Sequence, residues 1–397
     1  MYFPPEIWEQ IFLYTDAVTL TKFKRVCKYW NGVINRILME NDHWHRMCKK
    51  EIPQNLWSTF CETLNPMKHY TKFHEIYDYN MWMALYKLWT KFRNIPEWKP
   101  GTECIEPLKI QSHTEHITCL EISENIMAAG SSEGYVYFYD VCDISKTPFF
   151  VADNVEYIQN VQFIRDDACV LCVTRSINNH ISIWDLRTKK LINKTVGELI
   201  CTSYSYFYNA VRNMVIIEGT VIEGTIVRTV YELNTTEVIA LGADNNKVHL
   251  YTRERFIHLH LTPENKKYIT YTLAEIPNIR VHHFYIFKPD VVICIAGYGY
   301  LGFLIKGKKW EMHNLFPILH CTPTAVFLYG RILFVGADTG SVYIYHIKDF
   351  AAINFSTIHF KQLTLEHTAV VSVNILVNIE TYLVVTFRRK IHILQLT

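Results

Sequence analysis

The sequence predicts two parts in series: an N-terminal all-α module with a helical linker, then an all-β propeller of seven blades. Three observations carry this reading. Up to about residue 95, apolar residues recur at helical spacing; from about residue 103 the texture changes to short β-rich runs between turn residues; and those runs hold a strand–turn–strand pattern with a period near forty. The expected domains are residues 1–45, 46–101 and 102–397.

Pro4-Pro5-Glu6 suits a helix start, because proline fixes φ, its missing N–H costs little in the first turn, and a carboxylate there favours the helix dipole. The first helix should run from about Pro5 to Tyr14, with Ile7, Ile11 and Tyr14 on one stripe. After Thr15-Asp16, Leu20, Phe23, Cys27 and Trp30 continue the helical spacing. So small a unit has too little core to bury this much apolar surface, so a partner is its natural cover. Further on, Asp78–Phe92 sets Trp82, Leu85, Trp89 and Phe92 on one stripe, ended by Asn94-Ile95-Pro96 and Lys99-Pro100-Gly101.

Phe3-Pro4-Pro5-Glu6-Ile7, with Ile11, Asp16, Leu20, Val26-Cys27-Lys28, Trp30-Asn31 and Ile34, resembles the F-box, the module that docks a protein onto the Skp-type adaptor of a cullin-RING ubiquitin ligase. The resemblance implies that Pro4, Pro5, Ile7, Ile11, Leu20, Val26, Cys27, Trp30 and Ile34 contact the adaptor. It also implies that the helices up to residue 101 space the F-box from a substrate domain.

Three hairpins align without gaps: Ala129–Tyr139, Leu241–Tyr251 and Val335–Tyr345, each a strand, a tight turn and an alternating strand ending in an aromatic. With Ile181-Ser182-Ile183-Trp184-Asp185, the region resembles a WD-repeat propeller, and the whole chain resembles the F-box/WD-repeat family. Blade-opening strands are expected near Ile117, Gln159, Cys201, Lys247, Arg280, Thr324 and Val370, at spacings of 42, 42, 46, 33, 44 and 46. Between Gly219 and Leu273, Lys247–Tyr251 reads either as the third strand of one blade or as the first of the next, which leaves six or eight blades as alternatives. The chain stops on what would be the third strand of the last blade. Glu103–Gln111 is a spare strand that would complete that blade and close the ring.

Composition narrows the function classes. With 49% apolar residues the 397-residue chain can bury a large core, and a net charge of +2 gives neither a nucleic-acid platform nor an acidic tail. Eleven cysteines, several within apolar runs, suit reduced core thiols and a cytoplasmic or nuclear compartment. No signal segment is evident, and no apolar run approaches the roughly 18 residues of a membrane helix, so no membrane partner is expected.

Catalytic and cofactor patterns fail on context. Gly130-Ser131-Ser132-Glu133-Gly134 fits a nucleophile elbow, and Gly297-Tyr298-Gly299-Tyr300-Leu301-Gly302 fits a dinucleotide fingerprint. Both run on into strands rather than the helix that each chemistry needs. Cys169-x-x-Cys172 stands alone in an apolar strand, while His258 with His260, and His282-His283, have no third ligand placed near them. No cofactor and no metal is expected.

What remains is a non-enzymatic substrate-recognition subunit, with a WD-type scaffold uncoupled from ubiquitin transfer as the alternative. In this family, arginines near the channel mouth read phosphorylated segments, because guanidinium forks bind phosphate oxygens in pairs. Here Ser132, Asp244 and Asp338 hold the corresponding turns of the aligned hairpins, and Arg175 and Arg388-Arg389 those of two other blades. Three readings follow: a basic pocket from Arg175 and Arg388 for an acidic or phosphorylated segment, a mixed face for an unmodified one, or solvated turn residues with no ligand.

Overall fold

The computed structural model describes residues 3–40, 43–64, 79–95, 114–141, 147–166, 169–203, 206–212, 214–219, 228–232, 238–244, 247–252, 255–260, 268–272, 279–288, 291–305, 309–377 and 381–396. The chain divides into two compact units, Met1–Glu97 and Trp98–Thr397.

The first unit is helical: α1 (Pro5–Leu13), α2 (Ala17–Phe23), α3 (Lys28–Glu40), α4 (His43–Glu51), α5 (Gln54–Leu64) and α6 (Tyr79–Asn94). Pro4 occupies the N-cap position of α1 with Pro5 in its first turn, and the Asp16 carboxylate caps α2 by accepting from Thr19 N–H at 2.9 Å. Phe12, Leu20, Ile34 and Leu38 are buried, and the Trp30 ring packs against Trp8, Phe12 and Phe23 at 4.6, 5.1 and 5.7 Å. The α6 stripe turns inward as its spacing predicts. Trp82 meets Trp57 at 5.3 Å, Phe92 meets Phe60 at 5.1 Å, and the neighbouring Tyr86 packs on Trp44 at 5.4 Å. Because α6 rests on α4 and α5, the expected linker helices share one unit with the N-terminal helices.

The second unit is a ring of antiparallel sheets, each ordered as in the chain. The first sheet holds β1 (Ile117–Ser123), β2 (Ile126–Ser131), β3 (Tyr135–Asp140) and β4 (Phe150–Asp153); the second β5 (Ile158–Asp166), β6 (Cys169–Ser176), β7 (His180–Asp185) and β8 (Lys190–Val196); the third β9 (Leu199–Ser203), β10 (Tyr206–Val211), β11 (Met214–Gly219) and β12 (Arg228–Glu232). The fourth holds β13 (Val238–Asp244), β14 (Lys247–Thr252), β15 (Arg255–His260) and β16 (Tyr268–Thr272); the fifth β17 (Val281–Lys288), β18 (Val291–Ala296), β19 (Tyr300–Ile305) and β20 (Glu311–Asn314); the sixth β21 (Pro323–Tyr329), β22 (Ile332–Ala337), β23 (Ser341–His346) and β24 (Phe360–Thr364). Among the described residues these are six complete four-stranded blades, against the seven expected; a further sheet, β25 (Val370–Val377), β26 (Thr381–Phe387) and β27 (Ile391–Leu396), shows three strands. Glu103–Gln111, the strand expected to complete that sheet, lies outside the described residues.

Apolar clusters sit between blades. Met127, Ala129 and Tyr137 of the first sheet pack with Leu376, Val384 and Ile393 of the last, and Leu301 and Phe303 of the fifth with Val326 and Val335 of the sixth. Glycine permits the closest approaches: a Cβ on Gly130 would stand 2.6 Å from Ile158 Cγ2, and one on Gly336 would stand 2.5 Å from Val370 Cγ1. The ring closes through Ile117 N–H donating to Arg388 O at 2.7 Å and Asn374 Nδ2 donating to Leu120 O at 3.3 Å.

One expectation is corrected here. Lys247 opens no blade: it starts the second strand of the fourth sheet, whose opening strand begins at Val238. The hairpins Ala129–Tyr139 and Val335–Tyr345 join second and third strands, whereas Leu241–Tyr251 joins a first and a second. Every antiparallel hairpin carries the same turn signal, so the gapless alignment identified hairpins without fixing their rank in the blade.

Candidate functional site: exposed helical stripe and one propeller face

Ile7 and Ile11, four residues apart on α1, are exposed together with Tyr14, and Val26 (61% exposed) and Cys27 stand out at the junction of α2 and α3. Pro4 and Pro5 are exposed as well. Of the other residues expected to contact an adaptor, Trp30 is half-buried in its aromatic cluster, while Leu20 and Ile34 are fully buried and hold the helices together. The unit therefore presents an apolar stripe over a closed core.

In antiparallel blades, the turn between second and third strands and the segment leading to the next blade lie at one end, while the other turns lie at the opposite end. Ser132, Arg175, Asp338 and Arg388-Arg389 thus share one end of the ring. Asp244, at the β13–β14 turn, falls at the other, so the structure does not bring it to Ser132 and Asp338.

Two of the shared-end residues act as latches. Ser132 N–H donates to His116 O at 2.9 Å while its hydroxyl accepts from His116 N–H at 3.0 Å; Asp338 N–H donates to Thr322 O at 3.0 Å while its carboxylate accepts from Thr322 N–H at 3.1 Å. Further ties join the second–third turn to the preceding inter-blade segment: Ile177 N–H to Tyr157 O at 3.0 Å and Gly297 N–H to Arg280 O at 2.8 Å. Glu156 accepts from the Ser176 hydroxyl and from His180 Nδ1, which hold its carboxyl below the usual range. Glu366 accepts from His392 Nε2 at 3.0 Å and pairs with Lys390 Nζ at 3.2 Å; burial opposes the carboxylate, but these partners keep its pKa low.

The arginines are differently placed. Arg175 is half-buried: burial pushes its guanidinium pKa down, the Cys119 thiol opposes that, Nη1 donates to Asn179 Oδ1 at 3.2 Å, and Nε is buried with no hydrogen-bond partner. Arg388 is exposed beside Tyr157, whose phenol pKa is raised by burial and by Cys119 and lowered by Arg388. Arg175 and Arg388 thus stand at the same end of the ring on the second–third turns of different blades, and Arg389 follows Arg388 in the chain, also exposed. Guanidinium groups at this end suit an anionic group. Among the described residues, no group of three or more His, Cys, Asp or Glu is placed to hold a metal ion, and no helix is long and apolar enough to cross a membrane.

Neither Val155 nor Phe316 is marked by any motif as belonging to this face, and Tyr298 is marked only by its flanking glycines. Val155 is 81% exposed at φ 68, its N–H donating to Asp153 Oδ1 at 2.9 Å, a conformation that a β-branched residue does not advertise.

With this geometry in view, the comparisons with known proteins give the class. The F-box-like family profile matches residues 3–50. The chain is 26% identical over 161 residues to the probable E3 ubiquitin ligase complex SCF subunit sconB of Arthroderma otae, covering 35% of this chain and 22% of that protein. The same subunit of Arthroderma benhamiae is 26% identical over 157 residues, with 35% and 22% covered. The chain thus spans about a fifth of the length of the curated relatives it matches. Among solved structures, the WD40 repeats of RRP9 superpose with a TM-score of 0.52 at 12% identity, covering 74% of this chain and 99% of that one. U3-55K superposes at 0.54 with 11% identity, covering 75% and 100%. The class is therefore an F-box-like N-terminal domain joined to a propeller of the WD40 kind. Its particular resemblance is to subunits of SCF-type ubiquitin ligases.

Proposed function

We propose that this chain is the substrate-recognition subunit of an SCF-type E3 ubiquitin ligase, non-catalytic and acting in the cytoplasm or nucleus. The observation that carries this is the exposed Ile7–Ile11–Tyr14 stripe on an F-box-like domain, in the same chain as a WD40-type propeller. The stripe binds the Skp-type adaptor and, through it, the cullin scaffold; the propeller face bearing Arg175 and Arg388 holds the target. The contribution to ubiquitin transfer is proximity, since tethering raises the effective concentration of the target's lysines.

Tagged full-length chain and an Ile7→Glu/Ile11→Glu variant, expressed in cells and captured, test the adaptor half. The wild-type chain should bring down adaptor and cullin, and the variant neither, with the thermal midpoint of the propeller unchanged because both residues are exposed. Adaptor retained by the variant, or absent from both captures, would sink the reading.

A further inference from the structure

Tyr298 is the most exposed large apolar side chain among the described residues of the propeller, at 87%, and it sits at φ 60, where a bulky residue rests only if its surroundings hold it. They do. Gly297 N–H donates to Arg280 O at 2.8 Å, and Gly299, at φ +81, lies so close to the next loop that a Cβ on it would stand 2.8 Å from Phe316 Cβ. Leu315 N–H donates to Gly299 O at 2.9 Å, tying the two loops together. Phe316 begins the helical turn α7 (Phe316–Leu319), with Pro317 in its first turn and its own N–H donating to Asn314 Oδ1 at 3.0 Å; its ring is 49% exposed.

Two adjoining loops thus hold two aromatic rings out to solvent, at the same end of the ring as Arg175 and Arg388. Aromatic side chains on a fixed backbone make efficient anchors, because they bury much area for little lost entropy. The groups beside them are basic: exposed Arg280, exposed His282, whose Nε2 lies 3.7 Å from where a Gly297 Cβ would be, and exposed His320, which closes the α7 turn at φ 54.

We propose that Tyr298 and Phe316 form an aromatic anchor that takes an apolar side chain of a bound protein segment with acidic flanks, its carboxylates met by Arg280, His282 and His320. This rests on the reading of the propeller as the target-binding domain. It also absorbs the Gly297–Gly302 pattern, whose glycines here present a tyrosine instead of a phosphate-binding helix.

The test is a phage-displayed library of random dodecapeptides selected on immobilised full-length chain, with the selected peptides then titrated by fluorescence anisotropy. Asparagine tolerates the left-handed region, so Tyr298→Asn removes the ring without unfolding the loop. The expected result is a set of peptides pairing an aromatic or aliphatic residue with Asp or Glu. Their affinity should fall about tenfold or more in Tyr298→Asn and in Phe316→Ala, while the thermal midpoint of Tyr298→Asn is unchanged or raised. No selected peptide, a basic consensus, or undiminished affinity in Tyr298→Asn would overturn the proposal. So would a self-association that Tyr298→Asn abolishes, since a second copy would then be the occupant. Adaptor capture by the same preparations separates the two readings: its loss with peptide binding intact strikes the ligase role and leaves the anchor standing.

Discussion

Glu121 lies on β1, the opening strand of the first blade, and burial pushes its carboxyl pKa up to about 8. The buried Cys172 thiol, raised well above its usual value by its own burial, by Cys119 and by Glu121, is a close neighbour. An unfolded glutamate titrates at about 4.3. Between that value and about 8 the folded chain holds a proton that the unfolded chain has lost, so this residue's stabilisation is complete below the unfolded pKa, fades as pH rises, and is gone above the folded one. Glu121→Gln should therefore flatten the fall in urea midpoint between pH 5 and pH 8 and be the more stable protein at pH 8; parallel pH profiles would refute it. None of this was legible in the sequence, where Glu121 sits in an ordinary alternating strand. The same holds for Val155, whose type predicts extended backbone. Tyr298 did leave a trace in its flanking glycines, but their meaning depended on Phe316, eighteen positions after Tyr298 in the chain and adjacent only once folded.

At the scale of elements, the helices were the most legible, because the Pro-Pro start, the Asp16 break and the Trp82–Phe92 stripe each state a local rule that tertiary packing had no reason to override. What periodicity could not divide was apolar residues facing the unit's own core from those facing out: Leu20 and Ile34 go in, Ile7 and Ile11 stay out. Hairpins were legible as hairpins but not by rank, and the uneven spacings of 46 and 33 around Lys247 were the one sign of the slip. Blade turns also explain why Asp338 sits where a ligand-reading residue was sought: its carboxylate is engaged by Thr322 N–H. Asp338→Ala should thus cost about 1 kcal/mol in urea unfolding, the scale of a hydrogen bond near the surface, and leave the affinity of peptides bound at the Tyr298 anchor unchanged. A loss of affinity at full stability would make Asp338 a ligand residue instead.

Over the whole molecule, the propeller is held as a closed circuit, and the last sheet is the segment that closes it. Ile117, at the start of β1, donates to the turn between β26 and β27, Asn374 on β25 reaches Leu120, and Leu376, Val384, Ile391 and Ile393 share a core with Met127, Ala129 and Tyr137. On its other side, β25 receives the Thr324 hydroxyl at Val370 O, at 2.8 Å. Removing residues 370–397 would therefore bare the apolar flanks of both the first and the sixth sheets and expose the edges that ring closure conceals. The damage should not stay local, because neighbouring blades share apolar clusters. Full-length chain is expected to unfold its propeller in one cooperative transition. The truncated chain should lose that transition, bind a hydrophobic dye at temperatures where the full chain does not, and aggregate, while the helicity of the N-terminal unit, which has its own buried core, persists. A truncated chain that kept a single sharp transition would show instead that the six four-stranded blades stand without closure, and that β25–β27 serves the binding face, through Arg388 and Arg389, more than the fold.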